Sequence, residues 1–427
     1  MNRRRFLSKA ATGAAALGLA ARAGWASAGR PNNKVIVGVA GMRRGQAIAR
    51  ELMRLPDVEI AYVCDTDSAR AAQGKKNLED AGAGNIRAVT DFRRILEDDS
   101  VDALIVATPN HWQAPMTIEA CAAGKHVYVE KPASHNPREG ELMVAAARKH
   151  DRAVQMGNQR RSGPVIKRAI GMLHEGVIGR PYYSRGWYAN QRGSIGTGEP
   201  ATPPEELDYD LWQGPAPRRA FRSNTLHYNW HWFWHWGNGE AGNNAVHALD
   251  LSRWGLRAGL PTRVGSAGGR YAFKDDQETP DTQLMTFDFE DDMTIVWEGL
   301  SCNRFGIEGR NFGVVFHGEG GTLMLSSNGY RLFDENQDEV ESDSGPVGGR
   351  EHLEDFLESI RENKPLELNA EIEDGQKSTL MTHLGNIAYR TGRSLECDPG
   401  NGHILNDREA MDKYWSRDYE AGWEPKV

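Results

Sequence analysis

The sequence predicts an α/β protein: a doubly wound parallel-sheet domain, then a second α/β domain on a large, open, mostly antiparallel sheet. Three observations predict it. From Lys34 to about Gly157, short apolar runs alternate with helical stretches, the pattern of βαβ units. A glycine-bearing turn, GVAGMRRG (38–45), sits between the first strand and the first helix, where a phosphate-binding turn belongs. Past residue 262 the texture changes to alternating runs separated by turn residues such as Glu290-Asp291-Asp292, as expected of an antiparallel sheet covered on one face.

In the first half, KVIVGVA, VEIAYVC, DALIVAT, HVYVEKP and RAVQMG are strand candidates. QAIARELMRL, the segment after Asp67, HWQAPMTIEACAAG and NPREGELMVAAARKH are helix candidates. SGPVIKRAIGMLHEG then reads as a helix, PYYSRGWYA as a strand and residues 191–226 as a long loop punctuated by Pro and Gly. After helix-like VHALDLSRWGL, the runs TRVGSAGGRYAF, TQLMTFDFE, MTIVWEGLS, NFGVVFHG and GTLMLSS read as strands. The acidic tract DENQDEVESDS (334–344) reads as a solvated loop. REHLEDFLESIREN and EDGQKSTLMTHLGNIAYRTG supply amphipathic helices, and the Trp-bearing tail from Asn406 is expected to strap onto the body or onto a neighbouring subunit.

The expected organisation is an export signal over 1–28, a dinucleotide-binding domain over 33–157 and a substrate-binding domain over 158–427. Arg3, Arg4, Arg5, Phe6 and Leu7 match the twin-arginine pattern R-R-x-F-L, a short Ala- and Gly-rich stretch follows, and Ala26-Ser27-Ala28 forms a small-x-small cleavage site. A periplasmic or otherwise exported product without a membrane anchor is expected. The formal net charge of −8 becomes more negative once the signal and its five basic side chains are removed, which argues against nucleic acid as a partner. Cys64, Cys121, Cys302 and Cys397 lack paired spacing and read as core residues rather than a disulfide framework.

The glycine turn alone is weak evidence: counting from Gly41, a G-x-G-x-x-G fingerprint needs glycine at 43 and 46, where Arg43 and Gln46 stand. Context strengthens it, because Asp65 closes the second strand, where a carboxylate binds the adenosine ribose hydroxyls. That carboxylate favours NAD over NADP, with Arg43 and Arg44 keeping NADP open. ATPNHW (107–112) and Glu130-Lys131-Pro132 lie at the carboxyl edge of the sheet, where open α/β folds bind ligands. An ammonium placed there, beside a carbinol and a nicotinamide, would have its pKa lowered toward a useful range.

The run Val35 through Asp65, ATPNHWQAPMTIEACAAGKHVYVEKP (107–132), GNQRRS (157–162), DLWQGPAP (210–217) and HYNWHWFWHWGNGEAGNNAVHALD (227–250) resemble the Gfo/Idh/MocA oxidoreductase family, in particular its exported twin-arginine branch. The resemblance implies a Rossmann domain, a second α/β domain with an open sheet, and an active site between them. It implies that Gly41, Met42, Arg43, Arg44, Gly45 and Asp65 bind a tightly held NAD. Thr108, Asn110, His111, Glu130, Lys131 and Gln159 complete that cofactor site. Lys131 matches the family's catalytic lysine, and Asn243 with His247 matches its acidic residue four positions before a histidine. Asn243 departs from the usual Asp; an amide can orient a hydroxyl but holds no charge, so proton transfer would rest on His247 and Lys131. Asp250, one helical turn beyond, is either a support for His247 or a plain neighbour. A homo-oligomer through the open sheet face is implied as well.

The stretch HYNWHWFWHWGNGE (227–240) places His227, His231 and His235 four residues apart, a spacing compatible with one face of a helix or a strand. Zinc is one reading and a core plug of indoles another. The reading preferred is a cleft wall, with substrate rather than metal as its partner. There Tyr228, His231 and Trp232, with Asn243, Asn244 and His247, face a carbohydrate ring. Three functions follow: an NAD(P)-dependent oxidoreductase acting on a CH–OH group of a sugar, glycoside or polyol; a redox-neutral, NAD-dependent glycosidase that oxidises the ring transiently; and a non-enzymatic sugar-binding protein.

Overall fold

Strands β1 (Val35–Ala40), β2 (Val58–Cys64), β3 (Arg87–Val89), β4 (Ala103–Val106), β5 (His126–Val129) and β6 (Val154–Met156) form the first sheet of the computed structural model, which describes residues 33–427. Their order is β3-β2-β1-β4-β5-β6 and every neighbouring pair is parallel, the doubly wound order that puts the ligand crevice at the carboxyl ends of β1 and β4. Strands β4 and β5 are almost wholly buried, so they read as unbroken apolar runs rather than alternating ones. Each buried Val, Leu or Ile there contributes about 1.5–3 kcal/mol. Sequence reading missed β3, whose three residues Arg87, Ala88 and Val89 carry no apolar run.

Helices α1 (Gly45–Leu52), α2 (Ser68–Glu79), α3 (Arg93–Leu96), α4 (Asn110–Ala122) and α5 (Pro137–His150) complete this half. Their caps fix the loops that matter. Asp67 caps α2 by accepting from Arg70 N, two residues after Asp65. Asn136 caps α5 by accepting from Glu139 N, while Glu139 accepts from His135 N; this reciprocal box anchors the chain just after Lys131 and its cis peptide to Pro132.

The second half begins with α6 (Pro164–His174) and β7 (Pro181–Gln191), followed by a loop that contains α7 (Tyr209–Gln213). Helix α8 (Val246–Leu256) precedes strands β8 (Arg263–Gly269), β9 (Thr282–Phe289), β10 (Met293–Leu300), β11 (Cys302–Asn303) and β12 (Phe312–Gly318). Strands β13 (Gly321–Leu325), β14 (Gly329–Phe333) and β15 (Glu339–Ser344) come next, then α9 (Gly349–Arg361), α10 (Ile372–Thr391), β16 (Leu395–Glu396) and α11 (Arg408–Tyr414). The sheet runs β15-β14-β13-β12-β7-β10-β9-β8-β16 and is antiparallel except for β7 beside β10. Helix α8 packs on β7, β10 and β12 and α10 on β8; strand β9 alternates buried and more exposed residues, with Met285 against Gly385 of α10 and Leu284 exposed on the other face. Val35–Val427 form one compact unit.

Two expectations are corrected, and of the two places expected for the tail the chain uses its own body. The acidic tract is not all loop: Glu339–Ser344 pairs with β14 as an exposed edge strand, and its charges suit an edge that must not recruit another strand. The 227–240 stretch is neither helix nor strand; Asn229–Trp232 forms a 3₁₀ turn and irregular turns follow. The tail straps onto the body of its own chain: Trp415 Nε1 donates to Glu141 and Trp423 meets Trp112 edge-on at 5.1 Å. Cys64, Cys121 and Cys397 are buried and all four cysteines are free. Among the described residues no helix is long and apolar enough to cross a membrane; the twin-arginine segment lies outside those residues.

Candidate active site

A cleft of about 580 Å³ runs along the carboxyl edge of the parallel sheet. Gly41 opens it: its φ of +91° and the 3.0 Å that would separate a Cβ from Thr108 N leave room only for glycine. Asp65, at the end of β2, accepts from Met42 N at 2.9 Å and from Asp67 N at 3.2 Å. These bonds fix the carboxylate on the glycine turn and leave part of its roughly four acceptor sites for a ligand. Arg44 donates to Glu130 at 3.0 Å, and Arg43 stacks on Tyr228 at 4.2 Å. The two arginines that could have favoured a 2′-phosphate are thus engaged.

Lys131 leaves the end of β5 and enters the second half of the molecule. Its Nζ donates to the Asn243 carbonyl oxygen at 2.6 Å and to Asn243 Oδ1 at 3.2 Å. Burial lowers its pKa below the usual lysine value, against the pull of Glu130 and Glu240. Asn243 and Asn244 lie in a π-helical turn, Ala241–Ala245, that runs directly into α8; such single turns recur at functional sites. His247, one turn into α8, lines the same cleft, and its ring has no hydrogen-bond partner among the described residues. Burial first, then the charges of Arg160, Lys131 and Arg44, hold its pKa well below 6.5, so it is neutral and able to accept a proton at pH 7. His231 Nδ1 donates to the Tyr228 carbonyl at 2.6 Å, which leaves Nε2 as an acceptor, and burial pushes its pKa down to about 3.

The cleft brings together Gly41, Arg43, Arg44, Asp65, Thr108, Asn110, Glu130, Lys131, Gln159, Tyr228, His231, Asn243 and His247. Five expected residues do not line it. Met42 is buried with its side chain against Gly74, and Gly45 packs on Val39 as α1 begins. His111 is wholly buried, its Nε2 donating to the Trp212 carbonyl at 2.9 Å. Trp232 is 3% exposed, because the 3₁₀ turn rotates alternate rings to different sides. Asn244 donates to Glu240 instead of facing the cleft. The aromatic stretch therefore divides: Tyr228, Trp230 and His231 line the cleft, while Phe233 and Trp236 pack behind it with Leu207, Trp212 and Ala216 in an apolar cluster that Trp230 also joins. The three histidines diverge, with His227 beside Asp67 at 3.4 Å and His235 donating to the Pro217 carbonyl. Among the described residues no group of His, Cys, Asp and Glu could hold a metal.

Sequence reading also missed residues. Glu240 is 3% exposed. Its carboxylate takes Arg192 at 2.7 and 3.2 Å and Asn243 Nδ2 at 3.3 Å, while Arg192 also reaches the Tyr228 hydroxyl at 3.2 Å. A buried carboxylate thus stands behind the asparagine that replaces the expected acid. The only sequence signal was a lone Glu three residues before Asn243. Asp250 does not support His247; both its oxygens hold Arg161, at 2.9 and 3.0 Å.

Two family models match the chain, "Oxidoreductase family, NAD-binding Rossmann fold" over residues 33–158 and "Oxidoreductase family, C-terminal alpha/beta domain" over 186–423. The chain belongs to the Gfo/Idh/MocA oxidoreductase family. It is 30% identical over 174 residues to the myo-inositol 2-dehydrogenase of Thermotoga maritima, which is 40% of this chain and 47% of that protein. It is 32% identical over 160 residues to a glycosyl hydrolase family 109 protein of Saccharopolyspora erythraea, 36% of this chain and 35% of that one. These matches span under half of either relative. A levoglucosan dehydrogenase solved with NADH and levoglucosan superposes with a TM-score of 0.68 over 85% of this chain and 99% of that one, at 18% identity, a likeness of fold. NAD fits the residues present in this Gfo/Idh/MocA protein: Gly41 permits close approach, Asp65 offers free acceptor sites, and the buried amide oxygens of Gln113 and Gln159 on the cleft wall have no partner among the described residues.

Proposed function

We propose that this Gfo/Idh/MocA protein oxidises a CH–OH group of a sugar, glycoside or polyol, and that it does so after twin-arginine export. The observation that carries the reading is the meeting of Lys131, Asn243 and His247 at one end of the dinucleotide cleft. NAD, when bound, supplies the hydride acceptor. His247 takes the hydroxyl proton as the carbinol hydrogen departs with its electron pair. Lys131, held by two oxygens of Asn243, keeps a third N–H for the substrate oxygen and stabilises the negative charge that develops there. Tyr228, Trp230 and His231 offer an aromatic wall for the apolar face of a pyranose ring. The purified protein supplied with NAD and a panel of hexoses and polyols is expected to form NADH; absence of both turnover and dinucleotide binding would sink the reading.

The glycosyl hydrolase relative favours a second reading, in which the hydride returns to the substrate within each turnover. In the same assay this would show as cleavage of a chromogenic glycoside with no net NADH.

The buried Glu240 makes a pH prediction. With His247 acting as base and Lys131 as ammonium, activity rises on an acid limb below pH 6.5 and falls on an alkaline limb below the usual lysine value of 10.5. Glu240 raises the Lys131 pKa. Glu240→Gln therefore moves the alkaline limb to lower pH and, by loosening Asn243 and Arg192, lowers kcat/KM roughly tenfold. A pH–rate profile with an unmoved alkaline limb would remove Glu240 from this role.

A further inference from the structure

The long loop after β7 crosses the cofactor end of the cleft and is tied down on both sides of it. The first tie is to the β2–α2 loop. Ser68 N donates to the Glu206 carbonyl at 2.9 Å and Asp208 N to the Thr66 carbonyl at 3.0 Å, so Asp67 and Leu207 face each other as an antiparallel bridge. The second tie is to the start of α4, where His111 Nε2 and Trp112 Nε1 both donate to the Trp212 carbonyl at 2.9 Å. The chain then returns to the first side: His227 Nε2 lies 3.4 Å from Asp67, and Tyr228 stacks on Arg43 of the glycine turn at 4.2 Å. Strands β2 and β4 flank β1 in the sheet. A segment bonded beyond the ends of both therefore passes over the glycine turn between them, where the phosphates of a dinucleotide lie. Leu211, Trp212, His227 and Tyr228 line the same cleft as Asp65 and Thr66.

The two ties differ in kind. His111, Trp112 and Trp212 are buried, and Leu207 and Trp212 belong to the apolar cluster of Trp230 and Trp236, so the segment stays seated on its own half. Ser68, Glu206 and Asp208 are exposed, and main-chain bonds open to water are the ones that local fluctuations break first. We propose that Glu206–Asp208 is a latch on the dinucleotide cleft: NAD enters and leaves when its bonds to the β2–α2 loop part, and while they hold, the cofactor stays on the protein. This latch requires only the dinucleotide site and holds whichever carbohydrate is oxidised.

Asp67 and Leu207 are a non-hydrogen-bonded pair, because their neighbours exchange the bonds; such a pair sets its Cα atoms about 4.5 Å apart, within the roughly 4.4–6.8 Å that a disulfide spans. Asp67→Cys with Leu207→Cys therefore makes the latch lockable in the full chain. NADH is the probe, bound to the reduced double variant and chased with excess NAD, its release followed by energy transfer from tryptophan. Oxidation with diamide is expected to slow release at least roughly tenfold by removing the local opening, and dithiothreitol to restore it. The parent protein, whose four cysteines are free, is the control and should not respond. Asp208→Pro removes one latch donor at a φ of −72°, which proline adopts, and is expected to speed release roughly fivefold to tenfold, the worth of one net hydrogen bond. Asp208→Ala loses the cap on Leu211 N but keeps the latch donor, and should change release by less than about twofold. Equal release from the oxidised and reduced double variant overturns the latch, because the cofactor then leaves by another route. Release from Asp208→Pro no faster than from Asp208→Ala overturns it too. A parent protein that forms no NADH with any sugar, while the oxidised double variant still releases NADH slowly and reversibly, would leave the latch standing and remove the oxidoreductase reading.

Discussion

Replacing Lys131 with methionine is expected to lower kcat by roughly a hundredfold to ten-thousandfold, the contribution of a positioned proton-transfer group, while dinucleotide affinity stays within about threefold. The split follows from position. The cofactor end of the cleft is built by Gly41, Asp65 and Glu130, whereas the Lys131 ammonium points away from them to the two oxygens of Asn243. Methionine keeps the length and the apolar stem and removes the donor. The effect on stability has the opposite sense. Folding lowers the Lys131 pKa from the usual 10.5, so the unfolded chain binds this proton more tightly. Stability then rises with pH only between the lowered value and 10.5, and at pH 7 the full cost of burying the ammonium is present. Lys131→Met is therefore expected to leave the melting temperature unchanged or higher. Steady-state kinetics, dinucleotide titration and thermal melting check the three parts, and a variant that melts earlier and binds NAD poorly would make Lys131 a structural residue.

The parts of this site legible in the sequence are those in which a short segment carries both the chemistry and its own placement. Asp65 closes an apolar strand, Lys131 follows another, and His247 sits on a helix whose periodicity is plain; in each case the local element aims the side chain. Residues aimed by distant packing were not legible. Glu240 acquires its meaning from Arg192, 48 residues away, and from a π-helical turn that no periodicity announces. Arg160 and Arg161 are the same residue type side by side, and only packing sends one over the Phe312 ring and the other to Asp250. Trp232 was misplaced for a related reason, since the spacing of the stretch suits one face of a helix or a strand and the chain makes a 3₁₀ turn instead. The sheet was legible where strands are apolar and silent at its edges, where β3 and β15 are held by hydrogen bonds to a neighbour rather than by burial of their own side chains.

Asp250→Ala is expected to cost about 3–5 kcal/mol of stability, the loss typical when one partner of a buried ion pair is removed. The Arg161 and Asp250 side chains are 6% and 2% exposed. Asp250 also accepts from Ser378 Oγ at 2.7 Å, and Arg253 donates to that same hydroxyl and to Asp374. One carboxylate therefore ties together the Gln159–Ser162 turn, α8 and α10, and its removal leaves the buried Arg161 only the longer contact to the more exposed Asp374, at 3.5 Å. Function should suffer with stability, because the turn presents Gln159 to the cleft and α8 presents His247. A control separates the charge from the packing: Arg161→Met with Asp250→Leu deletes both charges at similar volume, and such replacements are often neutral or stabilising. The double variant is expected to regain most of the urea midpoint lost in Asp250→Ala while kcat stays depressed, since the turn loses the bond that orients it. A single variant within about 1 kcal/mol of the parent protein would mean that water reaches this pair in solution and that the three elements are held together by their apolar contacts alone.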